Sequence, residues 1–184
     1  MHEIGKLSLK LFAIAAIAGL LLGVTNAATA APIAEQARTA AEESRRAVLP
    51  DTAETFTLVT ETDGDVYDVY RAENAAGELV GFTAVTAVTG FGGPIEITLG
   101  MGENGVVQGV RVGGSDFAET AGLGARTKEA WFTDQFSGLT GPFALSRDGG
   151  EIDAVTSATV SSTAVLNGVN ALDTYLTALV KEAN

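Results

Sequence analysis

The chain has 184 residues and a formal net charge of −12 at pH 7, a length that suits one domain and a membrane anchor. An acidic surface repels phosphate backbones, so the composition argues against nucleic-acid binding. The sequence has no cysteine, and its one histidine is His2. This excludes disulfides, thiolate iron–sulfur clusters and histidine-based triads, so we expect no metal site and no catalytic residue. Redox chemistry would need a bound organic cofactor.

The N-terminal segment is typical of membrane targeting. Lys6 and Lys10 precede an uncharged run over residues 11–34, and a bilayer-spanning helix needs about 20 mostly apolar residues. A retained anchor and a cleaved signal peptide with an A-x-A site at residues 28–30 both fit this pattern. The two lysines predict a cytoplasmic N-terminus, so both interpretations place the remaining domain on the extracytoplasmic side.

The rest of the chain predicts an α+β domain, with an antiparallel sheet packed with helices. Residues 35–49 are rich in Ala, Glu and Arg, which favour a helix that Pro50 closes. Asp63-Gly64 predicts a turn, and Asn104-Gly105 predicts a hairpin with a type I′ turn. Alternating segments predict five strands, and two helical segments follow. The predicted strands cover residues 55–60, 66–72, 79–89, 95–101 and 106–112, and the helices 128–136 and 160–179.

The last helix has one apolar face, because its large aliphatic residues recur at spacings of three and four. We expect this face to pack on the sheet and to hold the start of the helix, at Thr159, at a defined edge of the sheet. The stripe consists of Val165, Val169, Leu172, Leu176 and Leu179.

The stretch from Asp153 to Thr159 reads D-A-V-T-S-A-T and lies directly before that helix. A hydroxyl of Thr159 would face free backbone N–H groups and the positive end of the helix dipole, which suits a phosphate. Thr, Ser and Asp before a helix are also ordinary capping residues. The residues of this stretch leave both interpretations open.

Two further blocks precede this stretch. Residues 119–125 read E-T-A-G-L-G-A and are followed by W-F-T-D-Q-F at residues 131–136, and residues 90–95 read G-F-G-G-P-I. Taken alone, the glycines indicate turns. Trp131 and Phe136 alone are more typical of core residues than of cofactor contacts.

The three blocks together, in this order, resemble the FMN-binding domain family, whose motifs are G-Y-G-G-P-I, E-T-P-G-L-G and S/T-G-A-T. Ala121 stands where the family usually has Pro, and Ser157 stands where it usually has Gly, which permits a positive φ. The resemblance covers roughly residues 80–180. Within the family, the chain looks most like the G subunit of the Rnf electron-transport complex, which is related to the C subunit of the sodium-pumping NADH:quinone reductase.

The resemblance implies a cofactor and its site. In this family the last Thr of the third motif carries FMN through a phosphoester, which implies a covalent FMN on Thr159. The acidic domain would disfavour a negatively charged reduced flavin, whereas Arg111, Arg126 and Lys128 near the second block would favour it, and the sequence leaves open which effect is larger. The remaining residues that the motifs assign to the site are Asp153, Thr156, Ser157, Ala158, Glu119, Thr120, Gly122, Leu123 and Gly124.

The resemblance also implies a setting. It favours a retained anchor over residues 1–34 in contact with membrane lipid, a linker or helix over 35–50, and an extracytoplasmic FMN-binding domain over 51–184. The implied partners are the other membrane and peripheral subunits of an Rnf-type complex and, transiently, a flavin transferase. The implied function is electron transfer within a ferredoxin:NAD oxidoreductase coupled to sodium or proton translocation.

Two other functions stay open at this point. A stand-alone FMN-dependent reductase would need its own substrate pocket with an acid, a base or a cationic clamp, and the sequence shows no convincing set. In a cofactor-free extracytoplasmic binding module, Thr159 would only cap a helix.

Overall fold

A computed structural model describes residues 2–183, and the side chains of residues 4–183. The chain divides into two units, Met1–Ala41 and Glu42–Asn184. Helix α1 (His2–Ala47) begins in the first unit and ends in the second.

Helix α1 is one continuous element that includes Pro32. Its stretch Ile4–Ala47 is long and apolar enough to cross a membrane, with a mean hydropathy of 2.2 over its most apolar window. The large apolar side chains of this stretch are exposed. Retained anchors and signal sequences share these properties. The expected boundary between residues 34 and 35 does not coincide with a break in secondary structure.

The second unit contains a five-stranded antiparallel sheet in the order β1-β2-β3-β4-β5. Each of the five predicted strands is present. The strands are β1 (Thr55–Asp63), β2 (Val66–Glu73), β3 (Leu79–Thr89), β4 (Pro94–Gly102) and β5 (Val107–Gly113).

The hairpin between β4 and β5 is confirmed, but its predicted turn type is wrong. Gly105 has φ of 76°, whereas Asn104 is not among the described residues with positive φ. A type I′ turn requires positive φ at both central residues. Asn104 Oδ1 instead accepts the N–H of Val106 at 3.1 Å, so the side chain stabilises the turn while its own backbone stays in the ordinary region.

The predicted helix over residues 128–136 is also wrong as a single element. The chain forms a 3₁₀ helix at Gly124–Lys128, a short helix α2 at Ala130–Thr133 and a second 3₁₀ turn at Asp134–Phe136. Glu129 interrupts the run because its backbone is extended, with ψ of 142°.

Helix α3 (Thr159–Ala183) packs on β3 and β4. Its predicted apolar face is confirmed: four of the five stripe residues are buried, and Leu179 is partly buried. This face meets the inner side of the sheet and the ring of Phe132, which packs edge to face with Phe136 at 6.0 Å between ring centroids.

Side chains of α3 also bind the backbone of the segment that precedes the helix. The Asn170 side chain accepts the Phe143 N–H at 2.7 Å and donates to the Phe143 carbonyl at 2.9 Å. The Asp173 carboxylate accepts the N–H of Gly141 at 3.3 Å, and burial raises the pKa of this carboxyl. An isolated parallel β-bridge joins Leu145 to Ile152, directly before residue 153.

The end of α1 and the residues that follow it belong to the second unit. Val48 is buried against Gly100 and Gly109, which lie directly opposite each other on β4 and β5. A Cβ on Gly100 would overlap the Val48 carbonyl oxygen, so the glycine pair permits this close approach. The Arg45 guanidinium lies 3.4 Å from the centroid of the Tyr70 ring.

Candidate functional site

The turn before α3 is stabilised by the hydroxyl of Ser162, a residue that the motif did not include. Ser162 is buried; its Oγ accepts the Val155 N–H at 3.0 Å and donates to the Ala158 carbonyl at 3.0 Å. The Ala158 N–H donates to the Val155 carbonyl, which closes the turn before the helix. Ser162 therefore stabilises the turn from within the helix, which is the structural task that the capping interpretation gave to Thr159.

Thr159 is the first residue of α3 and is half-buried. Among residues 4–183, the structure contains no hydrogen-bond partner for its hydroxyl. In the same part of the chain, no acceptor contacts the first-turn N–H groups of Thr159, Val160 and Ser161. Unpaired N–H groups and the helix dipole make such a start suitable for a phosphate group.

The buried carboxylate of Glu119 joins the first two sequence blocks to the first turn of α3. One oxygen, Oε1, accepts the N–H of Gly92 at 3.0 Å, and the other, Oε2, accepts the hydroxyl of Ser161 at 2.8 Å. A Cβ on Gly90 or on Gly124 would overlap the carboxylate oxygens. Glu119 is thus a clamp that fixes the start of α3 to the two upstream loops.

The loop at residues 120–124 is a tight turn beside this clamp. The Thr120 carbonyl accepts the N–H groups of Leu123 and Ala125, both at 3.1 Å, and Gly122 has φ of 77°. Gly124 is buried close to Ser161. The loop therefore approaches the start of α3, while Thr120, Gly122 and Leu123 face solvent.

An open cleft of about 520 Å³ lies next to the residue 153–156 loop. This volume falls within the usual range for small-molecule sites. Trp131 lies on the wall with 41% of its surface exposed, so its interpretation as a core residue is wrong, whereas Phe136 is buried as predicted. The lining residues are Arg126, Trp131, Ser146, Asp153, Ala154 and Thr156.

Glu129 organises the wall that carries Arg126 and Trp131. Its carboxylate pairs with Arg126 Nε at 3.2 Å and accepts the indole N–H of Trp131. The guanidinium of Arg126 lies 5.2 Å from the Trp131 ring centroid. A cation and an aromatic face are therefore presented together at the cleft. Lys128 lies over the Phe117 ring at 4.4 Å instead.

The structure divides the predicted site residues into separate groups. Asp153 and Thr156 line the cleft, and Glu119 and Gly124 form the clamp. Ala158 is buried beneath the helix start, and Ser157 is exposed with φ of 62°. Other residues line the cleft or hold its surroundings without having been assigned to the site from the motifs: Arg126, Trp131, Gln135, Ser146, Ser161 and Ser162.

Comparison with known proteins identifies the family. The FMN-binding domain family matches residues 90–172, which include all three blocks. The chain is 34% identical over 186 residues to the G subunit of the Na(+)-translocating ferredoxin:NAD(+) oxidoreductase complex of Acetobacterium woodii, covering 90% of this chain and 87% of that one. It is 30% identical over 183 residues to the G subunit of the ion-translocating oxidoreductase complex of Methanosarcina acetivorans, covering 96% of each.

The chain belongs to the family of G subunits of ion-translocating oxidoreductase complexes. The resemblance recognised from the three blocks is thereby confirmed.

A solved structure supports the fold. The C subunit of the Na(+)-translocating NADH-quinone reductase from Parabacteroides distasonis superposes with a TM-score of 0.50 at 18% identity, covering 68% of this chain and 79% of that one. The predicted α+β class is confirmed: an N-terminal apolar helix is followed in the chain by an antiparallel sheet packed with helices.

Proposed function

We propose that this protein is the FMN-carrying electron-transfer subunit of a membrane-bound Rnf-type complex, and that FMN is attached through a phosphoester to Thr159. Membership of the G-subunit family and the FMN-binding domain match support the cofactor and the complex. The proposed attachment site rests on one observation, namely which hydroxyls around the start of α3 already have hydrogen-bond partners.

The buried hydroxyls are already engaged. Ser161 donates to Glu119, and Ser162 donates to the Ala158 carbonyl while accepting the Val155 N–H. Modifying either would break bonds that hold the helix start. Thr159 is half-buried, and its hydroxyl has no partner in the part of the chain whose side chains are described. Its hydroxyl can therefore be modified without loss of a structural bond. Thr156, Ser157 and Thr163 also have no partner in this part of the chain, but of these hydroxyls only that of Thr159 lies in the first turn of α3, beside the free N–H groups.

The residues present fit an FMN group. The free N–H groups at the start of α3 are suited to bind the phosphate, and the cleft wall offers Trp131 and Arg126 to an aromatic ring. The bound FMN would supply one- and two-electron redox chemistry. The chain itself would hold the phosphate and exclude alternative ring positions.

Attachment requires a second protein. In the proposed reaction, Thr159 Oγ1 forms a bond to the FMN phosphorus of FAD, the pyrophosphate bond breaks, and AMP leaves. The hydroxyl proton passes to a base of the flavin transferase. The covalent bond removes the dissociation equilibrium, so that the cofactor stays bound in every redox state.

The membrane setting follows from α1. Its length and apolar composition support a single-pass anchor in contact with lipid, and Lys6 and Lys10 favour a cytoplasmic N-terminus with the FMN domain outside. The relatives are named as subunits of ion-translocating complexes, one of them a ferredoxin:NAD(+) oxidoreductase. We extend to this chain the transfer of electrons between ferredoxin and NAD, coupled to ion translocation, with the other complex subunits as partners.

The test is intact mass and in-gel ultraviolet fluorescence of the denatured full chain, made together with a flavin transferase. We expect the wild type and Thr159→Ser to carry one FMN phosphoester, and Thr159→Val to carry none. The valine variant should lose less than about 1 kcal/mol of stability, since the hydroxyl has no partner among the described side chains.

Thr163→Val is the matched control, because Thr163 is a half-buried hydroxyl one turn further along the helix. It should keep the flavin. A Thr159→Val protein that still carries covalent flavin would contradict the site. An unmodified wild type that also lacks bound flavin before denaturation would favour the cofactor-free binding module.

A further inference from the structure

The cleft has two walls that come from distant parts of the chain. Arg126 and Trp131 form one wall, and Asp153 and Thr156 lie on the other. The Glu119 clamp does not join these walls, because it connects Gly92 with Ser161. A different side chain connects them.

Gln135 provides that contact. Its Oε1 accepts the Asp153 N–H at 2.6 Å, and its Nε2 donates to the Asp153 carbonyl at 3.3 Å. Only one orientation of the amide satisfies both backbone groups. Gln135 lies four residues after Trp131 in the helical run that spans Ala130–Thr133 and Asp134–Phe136. The side chain thus links the tryptophan wall directly to the backbone of the opposite wall.

We propose that Gln135 is a positioning residue that sets the separation of the two cleft walls and thereby the environment of the flavin ring. This inference rests on the proposed function. Glu119 and Gln135 then have separate roles. Glu119 fixes the start of the helix at Thr159, and Gln135 fixes the cleft walls around the ring. Glutamine suits this role because it is uncharged and both donates and accepts, whereas a glutamate would direct a carboxylate at the Asp153 carbonyl.

The test uses the full flavinylated chain and its Gln135→Met variant, which keeps the size of the side chain and removes both hydrogen bonds. Gln108→Met is the matched control, because the Gln108 side chain donates to the Val106 carbonyl at 3.3 Å at the β4–β5 hairpin. The measurements are covalent flavin by intact mass, amide hydrogen exchange at Asp153, and visible circular dichroism and fluorescence yield of the attached flavin.

We expect Gln135→Met to carry wild-type amounts of covalent flavin. Exchange of the Asp153 amide should be about tenfold faster, as expected for the loss of one hydrogen bond, and the flavin circular dichroism and fluorescence yield should both change. Gln108→Met should match the wild type in every measurement.

Two results would overturn the proposal. One is faster exchange at Asp153 with unchanged flavin spectra, and the other is loss of covalent flavin in a folded Gln135→Met protein. If that variant does not fold, Gln135→Glu replaces it, since it keeps the acceptor for the Asp153 N–H and loses the donor. A wild type without flavin would instead remove the proposed function on which this inference rests.

Discussion

The first turn of α3 has a buried side and an exposed side, and the two use the same side-chain chemistry differently. Residues 156–162 contain five hydroxyls. On the buried side, Ser161 and Ser162 are fully paired with Glu119 and with the preceding backbone. On the exposed side, Thr156 faces the cleft and Thr159 begins the helix.

The buried hydroxyls therefore stabilise the fold of the site, whereas the exposed hydroxyls are available for modification. A buried polar group costs stability when its partner is lost, whereas an exposed hydroxyl is solvated in either state. Substitutions on the buried side should therefore reduce folding stability, and substitutions on the exposed side should reduce flavin attachment while the fold remains. The predictions below test this contrast.

Gly124→Ala should have the largest effect on stability. Its Cβ would overlap the Glu119 carboxylate and the Ser161 hydroxyl, so that the clamp must open with a buried charge left poorly paired. We expect a loss of about 3 kcal/mol, measured by thermal or denaturant unfolding of the full chain in detergent.

A double-mutant cycle provides the control for Gly124→Ala. Glu119→Ala removes the obstructing carboxylate, so Gly124→Ala should cost clearly less in that background. Equal costs in both backgrounds would show that the Glu119 clamp is not what the new methyl group displaces.

Ser162→Ala should be the next largest. It leaves the Val155 N–H without its acceptor, and an unsatisfied buried donor costs about 1–3 kcal/mol. Thr163→Ala is the comparison, because alanine favours the helix and the change should be close to neutral. Equal stability of the two variants, measured by unfolding of the full chain, would contradict the capping role of Ser162.

Much of the sheet and of α3 could be predicted because burial imposes a period on the sequence. The alternating segments and the stripe from Val165 to Leu176 follow directly from which side chains meet the core. The segment at residues 128–136 could not, because the extended backbone of Glu129 interrupts it. The side-chain contacts of Glu129 with Arg126 and Trp131 leave no periodic pattern in the sequence.

The site was predicted only in part. The motifs indicated Asp153, Thr156 and Glu119, but a motif does not distinguish a cleft wall from a buried clamp. Ser162 had a usable signal, since it precedes Val165 by three residues and so lies on the buried stripe. The sequence contains no such signal for Gln135, because its hydrogen-bond partner is the backbone of a residue 18 positions away.

Ser157→Gly should have the smallest effect, and it should be stabilising. Ser157 has φ of 62°, in the left-handed region, at the position where the family usually has glycine. A non-glycine residue there costs about 1–2 kcal/mol, and the greater entropy of glycine in the unfolded chain offsets about 0.5–1 kcal/mol of that. A net gain of about 0.5 kcal/mol is expected from these two opposing effects, measured as a higher Tm of the full chain.

Ser157→Ala separates the backbone from the hydroxyl, because alanine keeps the strained conformation and removes only the oxygen. It should not be more stable than the wild type. If Ser157→Gly lowers the Tm and Ser157→Ala lowers it equally, the serine hydroxyl stabilises the turn and the strain argument is wrong. If Ser157→Gly is stabilising and still carries FMN on Thr159, the left-handed backbone alone is what this position requires, and the exposed side of the turn then needs only the Thr159 hydroxyl.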